Sequence, residues 1–211
     1  MKVKICGITR AEEVGYLNES GADYAGFVFH PPSRRNVTAE QARELMEGLS
    51  PKIRKVAVTV SPDISVLKVL QSLHFDVLQL HGSLTPELLA ATSLPVWYAV
   101  NVADPGVFQE KTEFIGQLPE ALQKKIAGIV VDGAEYGGGK TFAWEDAEWR
   151  ESPLFHSRTC ILAGGLDASN VSEGIRLFSP DIVDVSTGVE GEKGKDSQKI
   201  KAFIGKVRNY E

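Results

Sequence analysis

The sequence predicts an α/β protein: one closed (β/α)8 barrel of eight parallel strands, a single domain over residues 1–211. Three observations carry this. Short β-rich apolar runs alternate eight times with helical patterns, with no linker, charge block or low-complexity tract between them. The runs are almost continuously apolar, as in Gly26-Phe27-Val28-Phe29, which is how strands covered on both faces read. No Gly-x-Gly-x-x-Gly follows the first run, where an open doubly wound sheet usually keeps its phosphate loop. A barrel has a consequence for function, because its reactive groups belong at the carboxyl ends of the strands.

The strands are read at 2–5, 24–29, 55–60, 76–80, 96–101, 128–132, 160–163 and 182–186. The first leads into Cys6, with Gly7 at the turn and Thr9 with Glu12 as a capping box for the first helix. Thr38 and Gln41 form a second capping box before Ala42, Leu45, Met46 and Leu49, which recur at helical spacing ahead of Pro51. Ser61 before Pro62 and Thr85 before Pro86 each set a capping residue ahead of a proline at the first helical position. Residues 103–127 hold a stretch interrupted by proline and glycine, then a helical pattern from Leu118 to Ile126; residues 143–152 read as short, acidic and Trp-rich. Asp167 caps a helix carrying Val171, Ile175 and Phe178, and Asp196 caps the last, with Ile200, Phe203, Ile204 and Val207 on one face.

Composition narrows the function. Apolar residues make up 43% and charged residues 24% of the chain, ordinary for a soluble globular protein. A net charge of −5 and a pI near 5.5 argue against nucleic acid or an anionic membrane as the partner, since both call for a basic footprint. No apolar run approaches the ~18 residues of a spanning helix, and the chain enters a strand at once instead of a signal peptide. The two cysteines, Cys6 and Cys160, both fall on strands, so a reducing cytoplasm fits better than a disulfide framework. The four histidines, at 30, 74, 81 and 156, show no metal-ligand spacing, so no metal is expected.

The strand ends gather Cys6, His30 with the loop reaching Arg34 and Arg35, Gln79 and His81, Asn101, Asp132, Gly164-Gly165, and Asp184 with Ser186-Thr187-Gly188. Small-residue loops after the last two strands are where barrels commonly hold a phosphate on backbone N–H groups. Gly164, Gly165, Ser186, Thr187 and Gly188 are therefore assigned to phosphate, although each loop alone could be a tight turn. Asp132 ends the run Gly128-Ile129-Val130-Val131 and must meet a partner or solvent. Cys6 alone reads as a small buried residue; opposite Asp132 across a barrel mouth, the pair suits one acid and one base on a small substrate. A thiolate base needs its pKa drawn down from about 8.5; Lys4 is placed on the same strand with altered facing, which leaves the perturbing group unnamed. Arg34 and Arg35 are either surface charges or a fork for a carboxylate. Gln79, His81 and Asp184 are assigned to substrate, and Gly137 to Thr141 to a mobile covering loop or a flexible connection.

Taken together, these residues resemble the phosphoribosylanthranilate isomerases of tryptophan biosynthesis. The resemblance runs through Lys4 to Thr9, Gly21 to Asp23, Gly26 to Phe29, Ser33 to Arg35, Val77 to Gly82, Val131-Asp132, Tyr136 to Phe142, Trp144, Ala163 to Leu166, Asn170-Val171 and Asp184 to Glu190. It implies a TIM barrel and an Amadori rearrangement without cofactor. The residue matching Asp132 would be the acid that opens the sugar, and that matching Cys6 the base at C2′. Arg35 would hold the anthranilate carboxylate, and the two glycine-rich loops the phosphate. The chain departs from the family pattern in a glycine-rich loop after Tyr136 one residue shorter, Ala143 in place of an aspartate, and Thr59 in place of an aromatic. An epimerase or the aminoaldose isomerase of histidine biosynthesis is the alternative enzyme, but the latter would favour aspartates at strand ends one and six, and strand one ends in Cys6. A non-catalytic phosphosugar-binding barrel would predict decay of the acid or the base. Monomer and homodimer both fit, because barrel helices face solvent or a second subunit with similar patterning.

Overall fold

Alternation of side chains along each strand sorts this chain into two packed layers around one closed ring. A computed structural model describes residues 1–101, 105–132 and 152–210. The strands are β1 (Lys2–Cys6), β2 (Tyr24–Phe29), β3 (Arg54–Val60), β4 (Val77–His81), β5 (Val96–Asn101), β6 (Ile126–Asp132), β7 (Thr159–Leu162) and β8 (Ile182–Val185). They pair in parallel, in sequence order, and β8 closes on β1 with Lys4 beside Asp184. One set of side chains, among them Tyr24, Val56, Val77, Trp97, Val130, Ile161 and Ile182, fills the ring. The alternate set, including Val3, Ile5, Phe27, Leu78, Ile129 and Val183, packs outward with the helices. A β-strand shows successive residues to opposite faces, so both sets are buried once helices cover the barrel.

The helices are α1 (Ala11–Ser20), α2 (Ala39–Glu47), α3 (Ile64–Ser72), α4 (Pro86–Ala91), α5 (Pro105–Gln117), α6 (Glu120–Gln123), α7 (Pro153–His156), α8 (Val171–Phe178) and α9 (Ser197–Arg208). Thr38, Thr85 and Asp196 cap α2, α4 and α9 as the sequence predicts, each accepting from the third residue on. Three expected caps differ. Glu13, not Glu12, reaches back to the backbone N–H groups of Thr9 and Arg10 at the start of α1. Asp63 caps α3, because Ser61 turns left-handed (φ 43°) and its hydroxyl accepts from Ser83 N instead. Asp167 folds over Ser169 and Asn170, and α8 begins after Asn170. The stretch expected to be interrupted near 103–117 is the thirteen-residue α5, with Pro105 at its first position. The pattern from Leu118 to Ile126 yields only the single turn α6, and β6 starts two residues earlier than predicted. Two short antiparallel strands beyond the predicted eight, β9 (Glu190–Gly191) and β10 (Gly194–Lys195), follow β8. The loop Gly137 to Thr141, the stretch 143–151, Ala143 and Trp144 lie outside the described residues. Among the described residues no helix is long and apolar enough to cross a membrane.

Candidate active site

Parity decides which strand residues reach the mouth of the barrel. Cys6, Gln79, Asp132 and Asp184 each lie two residues beyond a residue on the inner set of their strand, and His81 two beyond Gln79. They open on one cavity of about 540 Å³ at the carboxyl ends of the strands. Arg35, Gly164, Gly165, Ser186, Thr187 and Gly188 line it too, so every residue assigned a catalytic, substrate or phosphate role meets there. Asn101 ends β5, and its side chain lies outside the described residues. β1 and β6 stand three places apart round the ring, which sets Cys6 and half-buried Asp132 on different walls of the space.

Cys6 is surrounded by charge. Lys4, fully buried (0% exposed), donates from Nζ to Asp184 Oδ2 at 2.6 Å, and its stem lies beside the thiol on the same face of β1. Burial pushes the Cys6 thiol up, while Lys4 and Lys195 pull it back towards the thiolate. Burial also disfavours the Lys4 ammonium, but Asp184 and Cys6 outweigh it and hold the lysine above its ordinary range. Gly26 sits opposite Cys6 on β2, and a Cβ there would lie 2.9 Å from the sulfur and 3.2 Å from Lys4 Cε. Any larger residue would displace the thiol.

On the facing wall, His81 is held neutral. Burial, then the nearby Lys4, Lys111 and His30 charges, lower its pKa to about 3. Its Nε2 lies 2.9 Å from Gln79 Nε2. With that contact made, Gln79 Oε1 has no hydrogen-bond partner among the described residues, and neither has Asp184 Oδ1. Two buried acceptors on one cavity, both unpaired, favour a ligand that brings hydroxyl donors.

The rim carries the cationic side. Arg35 donates from Nε to Glu190 Oε1 at 2.7 Å and from Nη2 to Thr187 Oγ1 at 2.8 Å, so its Nη1 edge is left for a ligand. Arg34 also bonds Glu190, but its side chain is 69% exposed against 13% for Arg35. Gly7 makes the placement possible: its φ is +82°, and a Cβ would fall 2.4 Å from Arg35 Cδ. Lys195 Nζ completes the group, donating to Glu190 Oε1 and to Ser186 O and Oγ. Burial raises the Glu190 carboxyl, yet the bonds from Arg35 and Lys195 prevail and bring it to about 2. Beside this cluster the two small-residue loops touch. Gly164 and Gly165 take left-handed φ values of 83° and 65°, and their N–H groups make no bond within the described protein. A Cβ on Gly188 would lie 2.0 Å from Leu166 O. The free N–H groups of Gly164 and Gly165, with the Ser186–Gly188 loop against them and Lys195 behind, are the kind of arrangement that can hold an anion.

Sequence reasoning missed three members of this constellation. Lys4 was expected with altered facing, but residues i and i+2 share a face, so it lies directly below Cys6. Glu190 and Lys195 carry no site signal of their own in the sequence. They are cross-strand partners in the β9–β10 hairpin, a pairing that no local pattern announces. Among the described residues no cluster of three or more His, Cys, Asp and Glu is arranged around a metal position.

Comparison with known proteins matches residues 3–206 to the family model for N-(5'phosphoribosyl)anthranilate (PRA) isomerase. The chain is 41% identical to N-(5'-phosphoribosyl)anthranilate isomerase of Thermoanaerobacter sp. (strain X514), over 99% of this chain and 98% of that one. It is similar to the structure of monomers generated from the dimeric phosphoribosylanthranilate isomerase of Thermotoga maritima, with a TM-score of 0.81, 35% identity, and 99% and 98% of the two chains covered. It is also similar to a phosphoribosyl anthranilate isomerase solved in complex with reduced 1-(o-carboxyphenylamino)-1-deoxyribulose 5-phosphate, at a TM-score of 0.80 and 32% identity, covering 99% and 98%.

Proposed function

The chain belongs to the N-(5'-phosphoribosyl)anthranilate isomerase family, and from that premise we propose that Cys6 is the base and Asp132 the acid of its reaction. The protein is an isomerase of tryptophan biosynthesis that converts N-(5-phosphoribosyl)anthranilate to 1-(2-carboxyphenylamino)-1-deoxyribulose 5-phosphate. Asp132 protonates the ring oxygen of the furanose, which opens to an iminium. Cys6 then removes the proton at C2′, and the C–H electron pair moves into the iminium to give an enolamine. Tautomerisation of the enolamine to the ketone completes the rearrangement.

The observation that carries this reading is that Cys6 and Asp132 share one cavity with an anion site and a cationic rim. A substrate with a phosphate at one end and a carboxylate at the other has a counterpart for each. The N–H groups of Gly164, Gly165, Ser186, Thr187 and Gly188 and the Thr187 hydroxyl take the phosphate, the Ser186 hydroxyl being committed to the Cys6 carbonyl, and the Nη1 edge of Arg35 takes the anthranilate carboxylate. Gln79 Oε1 and Asp184 Oδ1 accept from sugar hydroxyls, which satisfies both unpaired acceptors. His81, neutral throughout the working range, positions Gln79 instead of transferring a proton. The protein works on a small phosphosugar as a monomer or a homodimer, and Cys6 and Cys160, neither of which is in a disulfide, suit a reducing cytoplasm.

The decisive experiment follows the fluorescence of the anthranilate group when the protein meets freshly made substrate. Rapid loss in the wild type, abolished in Cys6→Ala and in Asp132→Ala, is the expected result. Turnover that survives either substitution would overturn the assigned roles.

A further inference from the structure

This inference rests on the reading of Cys6 as the base and concerns a group that the proton transfers leave unused. Lys4 is fully buried on the inner face of β1, two residues before Cys6. An ammonium inside a barrel is costly unless paired, and an apolar side chain would fill the same space. The closure of β8 on β1 supplies the partner: Asp184 stands beside Lys4 in register, and Nζ donates to its Oδ2 at 2.6 Å. That bond leaves two ammonium donors, and the lysine stem and the Cys6 sulfur stand side by side, since a Cβ on Gly26 would lie 3.2 Å from Lys4 Cε and 2.9 Å from the sulfur. Gly26 keeps the opposite side open, since a Cβ there would press on both the sulfur and the lysine stem.

We propose that Lys4 is a positioning residue for the reaction, its ammonium anchored by Asp184 so that it stabilises the Cys6 thiolate and aims it at the C2′ proton. In the step itself the sulfur gains the proton and the lysine keeps its own. The charged groups facing the sulfur are Lys4 on its own strand, Asp184 on β8 and Lys195 on β10, while β2 presents only Gly26. The two lysines favour the thiolate, and Asp184 opposes it. Removing Lys4 and removing the Asp184 charge must therefore act in opposite directions.

The test measures the rate at which iodoacetamide alkylates Cys6 without substrate, from about pH 6 to about pH 10, across the thiol range. Mass spectrometry of the Cys6 peptide keeps Cys160 out of the signal. The midpoint is expected to rise by about one unit in Lys4→Met, a tenfold loss of thiolate at low pH, and to fall in Asp184→Asn. The pH dependence of kcat/KM in Lys4→Met should move with its midpoint. A lysine that only filled space would change thermal stability and leave the midpoint where it was. Equal midpoints in all three proteins, or a rise in Asp184→Asn, would overturn the proposal. If Lys4→Met does not fold, the same midpoint is read in Lys4→Gln, which removes the charge but keeps a donor for Asp184. An inactive Cys6→Ala together with unmoved midpoints refutes the role of Lys4 and spares the base; an active Cys6→Ala refutes the base and this inference with it.

Discussion

The two faces of the same eight strands ask opposite things of a side chain. On the outer face, Val3, Ile5, Leu78, Leu80, Val131 and Val183 meet Leu17, Leu67, Ile200 and Phe203 of the helices in an apolar layer. On the inner face, the carboxyl halves of the strands carry Lys4, Cys6, Gln79, His81 and Asp184, and two of their acceptors are left unpaired. The outer layer stabilises by area removed from water. The inner layer gives up part of that gain and holds charge where a ligand arrives. Because neighbours along a strand alternate between the layers, stability and chemistry are allotted to alternate residues and should be separable by mutation.

The largest effect expected is on the inner face. Cys6→Ala or Asp132→Ala should lower kcat by about 10³-fold or more, in line with loss of a general acid or base, with the melting temperature little changed. Steady-state kinetics beside calorimetry on the same samples would show it. The matching cut on the outer face is Phe203→Ala, which removes a ring that is wholly buried on α9. It should cost about 3–5 kcal/mol of stability and leave the kcat of the folded protein near its original value. A tenfold fall in kcat at a temperature where this variant is folded would mean that the layers are coupled.

Smaller effects sharpen the contrast within the mouth itself. In Gly188→Ala the new methyl meets the Leu166 carbonyl oxygen, so the phosphate loops must part. KM for the substrate and the inhibition constant of inorganic phosphate should both rise by about 10-fold or more, and because the clash is with backbone the melting temperature should fall as well. Arg35→Lys keeps the charge but loses the planar fork; KM should rise by about tenfold, with a smaller change in phosphate inhibition. The least effect belongs to Glu190, whose folded pKa is lowered from 4.5 to about 2. A depressed carboxylate contributes stability above its unfolded pKa and loses it as pH falls towards the folded one. Allowing for its partial contact with solvent, Glu190→Gln should be less stable than wild type by about 1–2 kcal/mol at pH 7. Denaturation curves should show that gap closing between about pH 5 and about pH 2.

Much of the molecule was legible beforehand, for reasons that differ by element. The eight strands announce themselves because a strand buried on both faces must be apolar along its length, a property of a few consecutive residues. Cys6, Asp132 and the two glycine loops could be read as a rim because a barrel puts every strand end on one face. The caps were less secure. Thr9, Ser61 and Asp167 each look like a first residue, yet Glu13, Asp63 and Asn170 stand at or serve those helix starts, since turn geometry shifts a start by a few residues. Family resemblance favoured Arg35 over Arg34, and the structure buries Arg35 beside Glu190 while Arg34 stays in water.

What the chain alone determined is the alternation of strand and helix and the residue types at each strand end, both local consequences of side-chain polarity and period. What only the closed barrel decided is which of those residues touch. Lys4 meets Asp184 across 180 residues, and Arg35 meets Glu190 across 155, because β8 returns to β1 in one register and the β9–β10 hairpin lands on the rim. A charge declares its sign in the sequence; its partner, and so its chemistry, is chosen by closure.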